Sequence, residues 1–374
     1  MKLDGPFTSG PDFEHFRRVL TRETREGPVP IVELTVDPEI MAEVMGVDFP
    51  RGVLSRIIKS GPQMDPETIQ LALRYIDLTI AFHAAVGYDF VTMYPIVPIP
   101  RTTFAIKENP RQDGLARYWA NEHEGLITSR EQFEAFPWPA PGDVGVGIMD
   151  YTAPKLAPGQ KLLVFVSGIF EDLKLLMGFE TMAIKSIEEP DLCVDVLERL
   201  TVLCETVVDK AAAHPAAGAV FYAEDMGFNS STMLNPKWMR EHVIPRLARI
   251  AAKSHQHNKP FMLHSCGRID ALMDDLIETV GIDARHAYQD NVVKVEEAYK
   301  KYGDRIAILG GIDVDLLARG ATAQVRARTR QILEACAPRG GYMMGTGNSV
   351  TNFCPVENYY AMLDETRKWN QEHT

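Results

Sequence analysis

From about residue 160 onward the chain alternates short apolar runs with longer stretches in which apolar residues recur every three or four positions. The apolar runs fall at 162–166, 219–223, 261–264, 283–287, 306–310 and 341–345. Each is short and mostly apolar, which predicts parallel strands covered on both faces. The intervening stretches predict helices at about 190–213, after the N-cap pair Asn235-Pro236, at about 315–335, and at 356–369 to the end of the pattern. Strand and helix alternate in this half without hairpin turn signals, which predicts a parallel α/β architecture. Upstream, 29–34 and 89–94 predict two further strands. Eight strands close a barrel, so the expected fold is a (β/α)₈ TIM barrel forming a single domain over 1–374. The region from about 95 to 160 breaks the rhythm and is dense in proline at Pro137-Trp138-Pro139-Ala140-Pro141. It reads as an insertion across one rim.

Composition narrows the function classes. A net charge of -12, from 51 acidic and 39 basic residues, repels phosphate backbones and anionic headgroups. Neither nucleic acid nor a membrane is therefore an expected partner. No unbroken apolar run reaches the roughly 20 residues of a membrane helix, and Met1-Lys2-Leu3-Asp4-Gly5-Pro6 has no signal-peptide core, so the expected compartment is the cytoplasm. The five cysteines are Cys193, Cys204, Cys266, Cys336 and Cys354. Their number and spacing argue against a disulfide framework. Cys193, Cys204 and Cys336 lie in helical patterns as ordinary buried thiols; Cys266 and Cys354 do not.

In a barrel of this kind the chemistry sits where strands end and loops begin. Polar residues gather there: Glu33, Tyr94, Ser167, Glu224-Asp225, His264-Ser265-Cys266, His286, Asp313 and Asn348. His264 and Cys266 stand two apart on a strand and so point to one side, within reach of a single ion. Imidazole with thiolate suits zinc, and an open position would make the ion a Lewis acid. A histidine hydrogen-bonded beside a buried thiol gives the same spacing. A tetrahedral site needs a further ligand, for which Cys354, His286 and Glu224 are the candidates. Of Glu224 and Asp225, only one can face the barrel axis, as ligand or as general acid/base. A Cys266 nucleophile beside a histidine is the other use of these groups. His255 and His257, at the end of a helix, read as surface or capping residues.

The chain resembles the uroporphyrinogen decarboxylase superfamily, and within it the corrinoid and coenzyme M methyltransferase branch of the methanol type. The resemblance rests on blocks in a shared order. They are Gly125-Leu126-Ile127, Phe133-Glu134-Ala135-Phe136-Pro137-Trp138-Pro139, Ser167-Gly168-Ile169-Phe170 with Leu176-Met177-Gly178-Phe179, and Asp225-Met226-Gly227 with Asn235-Pro236. His264-Ser265-Cys266-Gly267, Gly310-Gly311-Ile312-Asp313 and Pro355-Val356-Glu357-Asn358-Tyr359 follow. The resemblance implies a TIM barrel and two zinc ligands in His264 and Cys266. It also implies methyl transfer between a corrinoid, carried on a partner protein, and a small substrate, in a homodimer formed through one barrel rim. The decarboxylase branch holds its anionic porphyrinogen with paired arginines after the first strand. Here Glu33 is followed by Leu34-Thr35-Val36-Asp37-Pro38-Glu39, with no arginine. The third zinc ligand of the methyltransferase branch, a cysteine after the last strand, falls at Asn348, with Cys354 six residues on.

The expected function is therefore a zinc-dependent methyltransferase of the corrinoid-linked type, with His264, Cys266 and Cys354 on the metal and Glu224, Asp225, His286 and Asn348 as catalytic candidates. The alternative is a metal-free carboxy-lyase acting on a smaller acid, with Asp225 or Glu224 as general acid/base and the histidines orienting the substrate.

Overall fold

The protein is described here by a computed structural model, which covers residues 10–60, 64–100, 105–108, 116–119 and 125–373. Seven parallel strands form one sheet: β1 (Phe90–Met93), β4 (Lys161–Ser167), β5 (Ala217–Ala223), β6 (Phe261–His264), β7 (Ala284–His286), β8 (Ala307–Leu309) and β9 (Tyr342–Met343), in that spatial order. β5, β6, β7, β8 and β9 are buried at all or nearly all positions, as their continuous apolar runs require. Helices connect successive strands, the longest being Pro190–Ala213, whose buried face runs from Leu192 to Ala212. Asn235 caps the helix Pro236–His242, its side chain accepting the Lys237 N–H at 2.9 Å.

The structure corrects the expected elements in several places. The 29–34 run is not a regular strand. It meets the β9 edge through isolated parallel bridges, Ile31 with Met344 and Val36 with Val350. Between them the Glu33 carboxyl takes the Thr346 N–H that a backbone carbonyl would accept in a continuous ladder. The segment is held from the other side by Asn370, whose amide bonds both the N–H and the C=O of Val29. Among the described residues no ladder joins this segment to β1. The 95–160 region holds an antiparallel pair, β2 (Ala105–Glu108) with β3 (Ala116–Trp119), while 101–104, 109–115 and 120–124 lie outside the described residues. The 315–335 helix is two helices, Val314–Arg319 and Thr322–Cys336, separated at Gly320-Ala321, and the last helix extends over Val356–His373.

One helix, Pro66–Val86, is long and apolar enough by length and composition to cross a membrane, which amends the sequence expectation. It carries Arg74 and Asp77, and its face of Tyr75, Leu78, Phe82, His83 and Val86 is buried in the protein core.

Register places the site. Ser167 pairs with Ala223, Ala223 with His264, and His264 with His286, so these residues form one row across the carboxyl ends of four strands. Each strand then hands its chain to a loop at the same level, which is where polar side chains can converge above a dry core.

Candidate metal centre

His264 and His286 are register partners, and their rings lie 5.1 Å apart with Nδ1 to Nδ1 at 2.8 Å. The direction of that hydrogen bond follows from its neighbours. His286 Nε2 lies 2.9 Å from the carbonyl oxygen of Thr346, which can only accept, so Nε2 carries the proton. Burial and the adjacent His264 charge push the His286 imidazolium well below its ordinary range, so the ring is neutral and its Nδ1 is an acceptor. His264 therefore donates from Nδ1. Its Nε2 is left facing Cys266 Sγ and Asp225 Oδ1, each 3.4 Å away.

Asp225 reaches this point because it follows β5 by the same two residues as Cys266 follows β6. The Cys266 N–H donates to Asp225 Oδ1 at 2.8 Å, which locks the two loops together. Burial alone would raise the Asp225 carboxyl and lower the His264 imidazolium. Their neighbours reverse both: Cys266 and the hydrogen bond to Asp225 raise His264 above its usual range, and the His264 hydrogen bond and charge, with the Cys266 N–H, hold Asp225 well below its own. Asn348 donates from Nδ2 to Cys266 Sγ at 3.3 Å. Ligand atoms of Asp225, His264 and Cys266 all lie within 4.8 Å of one another, with His264 buried and the other two partly open.

Glu224 does not join them. Its side chain turns the other way, to the N-terminus of the helix Ile169–Met177, where Oε1 accepts the Glu171 N–H at 2.7 Å. Gly168 is required there, since a Cβ would lie 2.4 Å from the Glu224 carboxyl carbon. Burial pushes this carboxyl up to about 8. Cys354 is buried in the loop after β9, with Sγ 3.5 Å from Thr351 Oγ1, and lies outside the Asp225–His264–Cys266 grouping. Ser167 bonds Asp172, and Asp313 caps the helix Val314–Arg319. Tyr94 begins an aromatic wall that runs from the surface inward: its ring is 5.0 Å from Phe165, Phe165 is 6.3 Å from Phe221, and Phe221 meets His286 edge-on at 5.6 Å. His255 and His257 pair with Asp283 and Asp209 away from this row. The buried thiols of Cys193 and Cys336 are pushed up to about 12, which keeps them inert.

Asp225 was expected among the catalytic candidates, with a ligand role left open for it or Glu224; the structure brings Asp225, not Glu224, beside His264 and Cys266. Thr346 was not foreseen from sequence. It links Glu33 to His286, taking the carboxyl on its N–H (3.0 Å) and hydroxyl and offering its carbonyl to the imidazole. Burial pushes Glu33 up to about 8 against these hydrogen bonds. A carboxyl raised in the folded state contributes stability that is complete below its unfolded value and is lost as pH rises through the folded one. Glu33→Gln is neutral at every pH, so its melting temperature is expected to gain on wild type between about pH 5 and pH 8. Parallel melting curves across that range would refute the assignment.

Comparison with known proteins identifies the family. The uroporphyrinogen decarboxylase (URO-D) family profile matches residues 124–369, well over half of the chain. A uroporphyrinogen decarboxylase of Thioalkalivibrio sulfidiphilus is 31% identical over 175 residues, 45% of this chain and 47% of that protein. A methylcobamide:CoM methyltransferase of Methanosarcina barkeri is 25% identical over 179 residues, 48% of this chain and 49% of that protein. The matches thus span about half the length of these curated relatives. A solved methyltransferase structure from Methanosarcina mazei shares the fold, with a TM-score of 0.67 at 16% identity over 96% of this chain and 99% of that one. With the profile spanning every strand from β4 to β9 and the His264–Cys266 row at its centre, the chain belongs to the uroporphyrinogen decarboxylase family.

Proposed function

We propose that the protein is a zinc-dependent methyltransferase of the corrinoid-linked type, built as one (β/α)₈ domain with the 30–36 segment as its eighth stave and the 95–160 region as a rim insertion. The observation that carries this reading is the donor set. An imidazole nitrogen oriented by its own hydrogen-bond chain, a cysteine sulfur and a carboxylate oxygen converge within 4.8 Å. Nitrogen, sulfur and oxygen donors in a three-residue set suit zinc with an open fourth position.

His264, Cys266 and Asp225 would hold the ion, and Asp225 takes the place that sequence reasoning gave to Cys354. When bound, zinc supplies a Lewis acid that stabilises the anionic form of a small methyl acceptor or donor. His286 and the Thr346 carbonyl keep the His264 proton on Nδ1, the outer-shell arrangement that orients a ligating imidazole. Asn348 holds the Cys266 sulfur from the far side, and the Cys266 N–H fixes Asp225. Cys266 and Asp225 are partly exposed, and a small substrate and a corrinoid carried by a partner protein would approach from that side.

Metal analysis of protein purified without chelator tests the reading. About one zinc per chain is expected, with activity lost on chelation and restored by zinc. Zinc-free protein that gains neither metal nor activity on reconstitution would overturn it. The metal-free carboxy-lyase reading draws on the Asp225–His264 ion pair at 3.4 Å. It requires carboxy-lyase turnover that survives Cys266→Ala.

A further inference from the structure

Strand β7 is buried throughout, yet its central residue is arginine. Strand alternation sends His286 toward His264 and Arg285 to the opposite face, beneath the helices. Arg285 is 2% exposed, and among the described residues it forms no ion pair. A buried guanidinium without a carboxylate is costly and calls for a role that a neutral side chain would not fill.

Its hydrogen bonds supply that role. Nη2 lies 3.4 Å from the carbonyl oxygen of Ser265 and 3.3 Å from that of Gly267, the two residues flanking Cys266. Among the described residues neither carbonyl accepts another hydrogen bond. Nη1 faces Met273 Sδ at 3.7 Å, and the guanidinium carbon sits 4.9 Å from the centre of the Tyr288 ring, which fixes its plane. The loop also packs closely on Gly227: Gly267 has φ +76°, and a Cβ there would lie 2.1 Å from the Gly227 oxygen. The chain between β6 and Arg268 is thus held both by this approach and by the Arg285 hydrogen bonds.

We propose that Arg285 is a positioning residue. Its Nη2 bridges the carbonyls on both sides of Cys266, holding Sγ near His264 Nε2 and Asp225 Oδ1. The consequence for metal binding rests on the zinc reading above; the clamp itself does not.

The test uses full-length Arg285→Met, which keeps an unbranched side chain without the donor, and Arg285→Lys, which keeps the charge but is too short to place a nitrogen at the Nη2 position. Hydrogen exchange of the metal-free protein reads the clamp: the Cys266 and Arg268 amides exchange faster in Arg285→Met, while the amides of β4 and β5 are unchanged. Zinc affinity, measured by competition with a chromophoric chelator, reads the consequence: the apparent Kd rises about 10- to 100-fold in Arg285→Met and less in Arg285→Lys. Exchange in the 264–268 loop at the wild-type rate in Arg285→Met overturns the proposal. If that variant does not fold, wild-type exchange in Arg285→Lys overturns it instead. Should wild-type protein bind no zinc, the zinc reading fails while the exchange measurement still decides the clamp.

Discussion

Asp225→Asn is expected to weaken zinc binding by about 100-fold or more and to remove methyl-transfer activity, while Cys354→Ser leaves both close to wild type. The asymmetry follows from placement. Asp225 Oδ1 lies 3.4 Å from His264 Nε2 and accepts the Cys266 N–H at 2.8 Å, whereas the buried Cys354 thiol is bonded to Thr351 and stands outside the cluster. Asparagine preserves the volume of Asp225 and an acceptor for the Cys266 amide, so the loop keeps its course and only the anionic ligand is lost. The same change removes the charge that, with Cys266, raises the His264 imidazolium. Zinc content after dialysis and chelator competition measure the effect for both variants. Loss of zinc from Cys354→Ser with retention in Asp225→Asn would return the third ligand to the cysteine and refute the cluster.

Gly345→Ala is expected to destabilise the fold by about 3 kcal/mol or more, lowering the melting temperature by about 5 °C or more. A Cβ at Gly345 would lie 1.8 Å from the carbonyl oxygen of Val32. That oxygen is backbone, and its segment is held by the Val32 N–H to Met344 oxygen bond at 2.8 Å and the reciprocal Met344 N–H to Pro30 oxygen bond at 2.9 Å. Relief therefore requires parting the seam that joins the 30–36 segment to β9. The same seam seats Glu33 on Thr346, and through Thr346 the His286–His264 pair, so catalytic loss should accompany the drop in stability. Gly142→Ala serves as control: nothing lies within 4 Å of its added Cβ, and the expected change is within about 0.5 kcal/mol. Coincident melting curves for Gly345→Ala and wild type would show that this approach is not a constraint.

The parts of the fold legible in sequence share one property: their pattern is local. The apolar runs of β4 through β9 and the long helix Pro190–Ala213 announce themselves because burial on both faces, or on one stripe, repeats within a dozen residues. The 29–34 run shows where this fails. Its composition suits a strand, but whether it pairs continuously depends on Glu33, whose carboxyl displaces a backbone partner of Thr346 more than three hundred residues away. The gap at Gly320-Ala321 was likewise hidden, because the apolar spacing runs on across the break.

The same division holds within the site. His264 and Cys266 were identifiable because they stand two apart where β6 runs out, a local spacing that the sequence displays without reference to any other segment. Asp225 and Glu224 are adjacent, and which of them faces the histidine depends on the helix N-terminus that draws Glu224 away and on the Cys266 amide that holds Asp225. Arg285 passed unremarked within the 283–287 run, because its part in the site needed the two carbonyls it meets. The sequence by itself determined a parallel α/β chain, the row of strand ends, and the pair at its centre. The third ligand, the proton position on His264 and the clamp beneath Cys266 were decided only by tertiary structure, because each is a contact between segments whose separation along the chain carries no periodic signal.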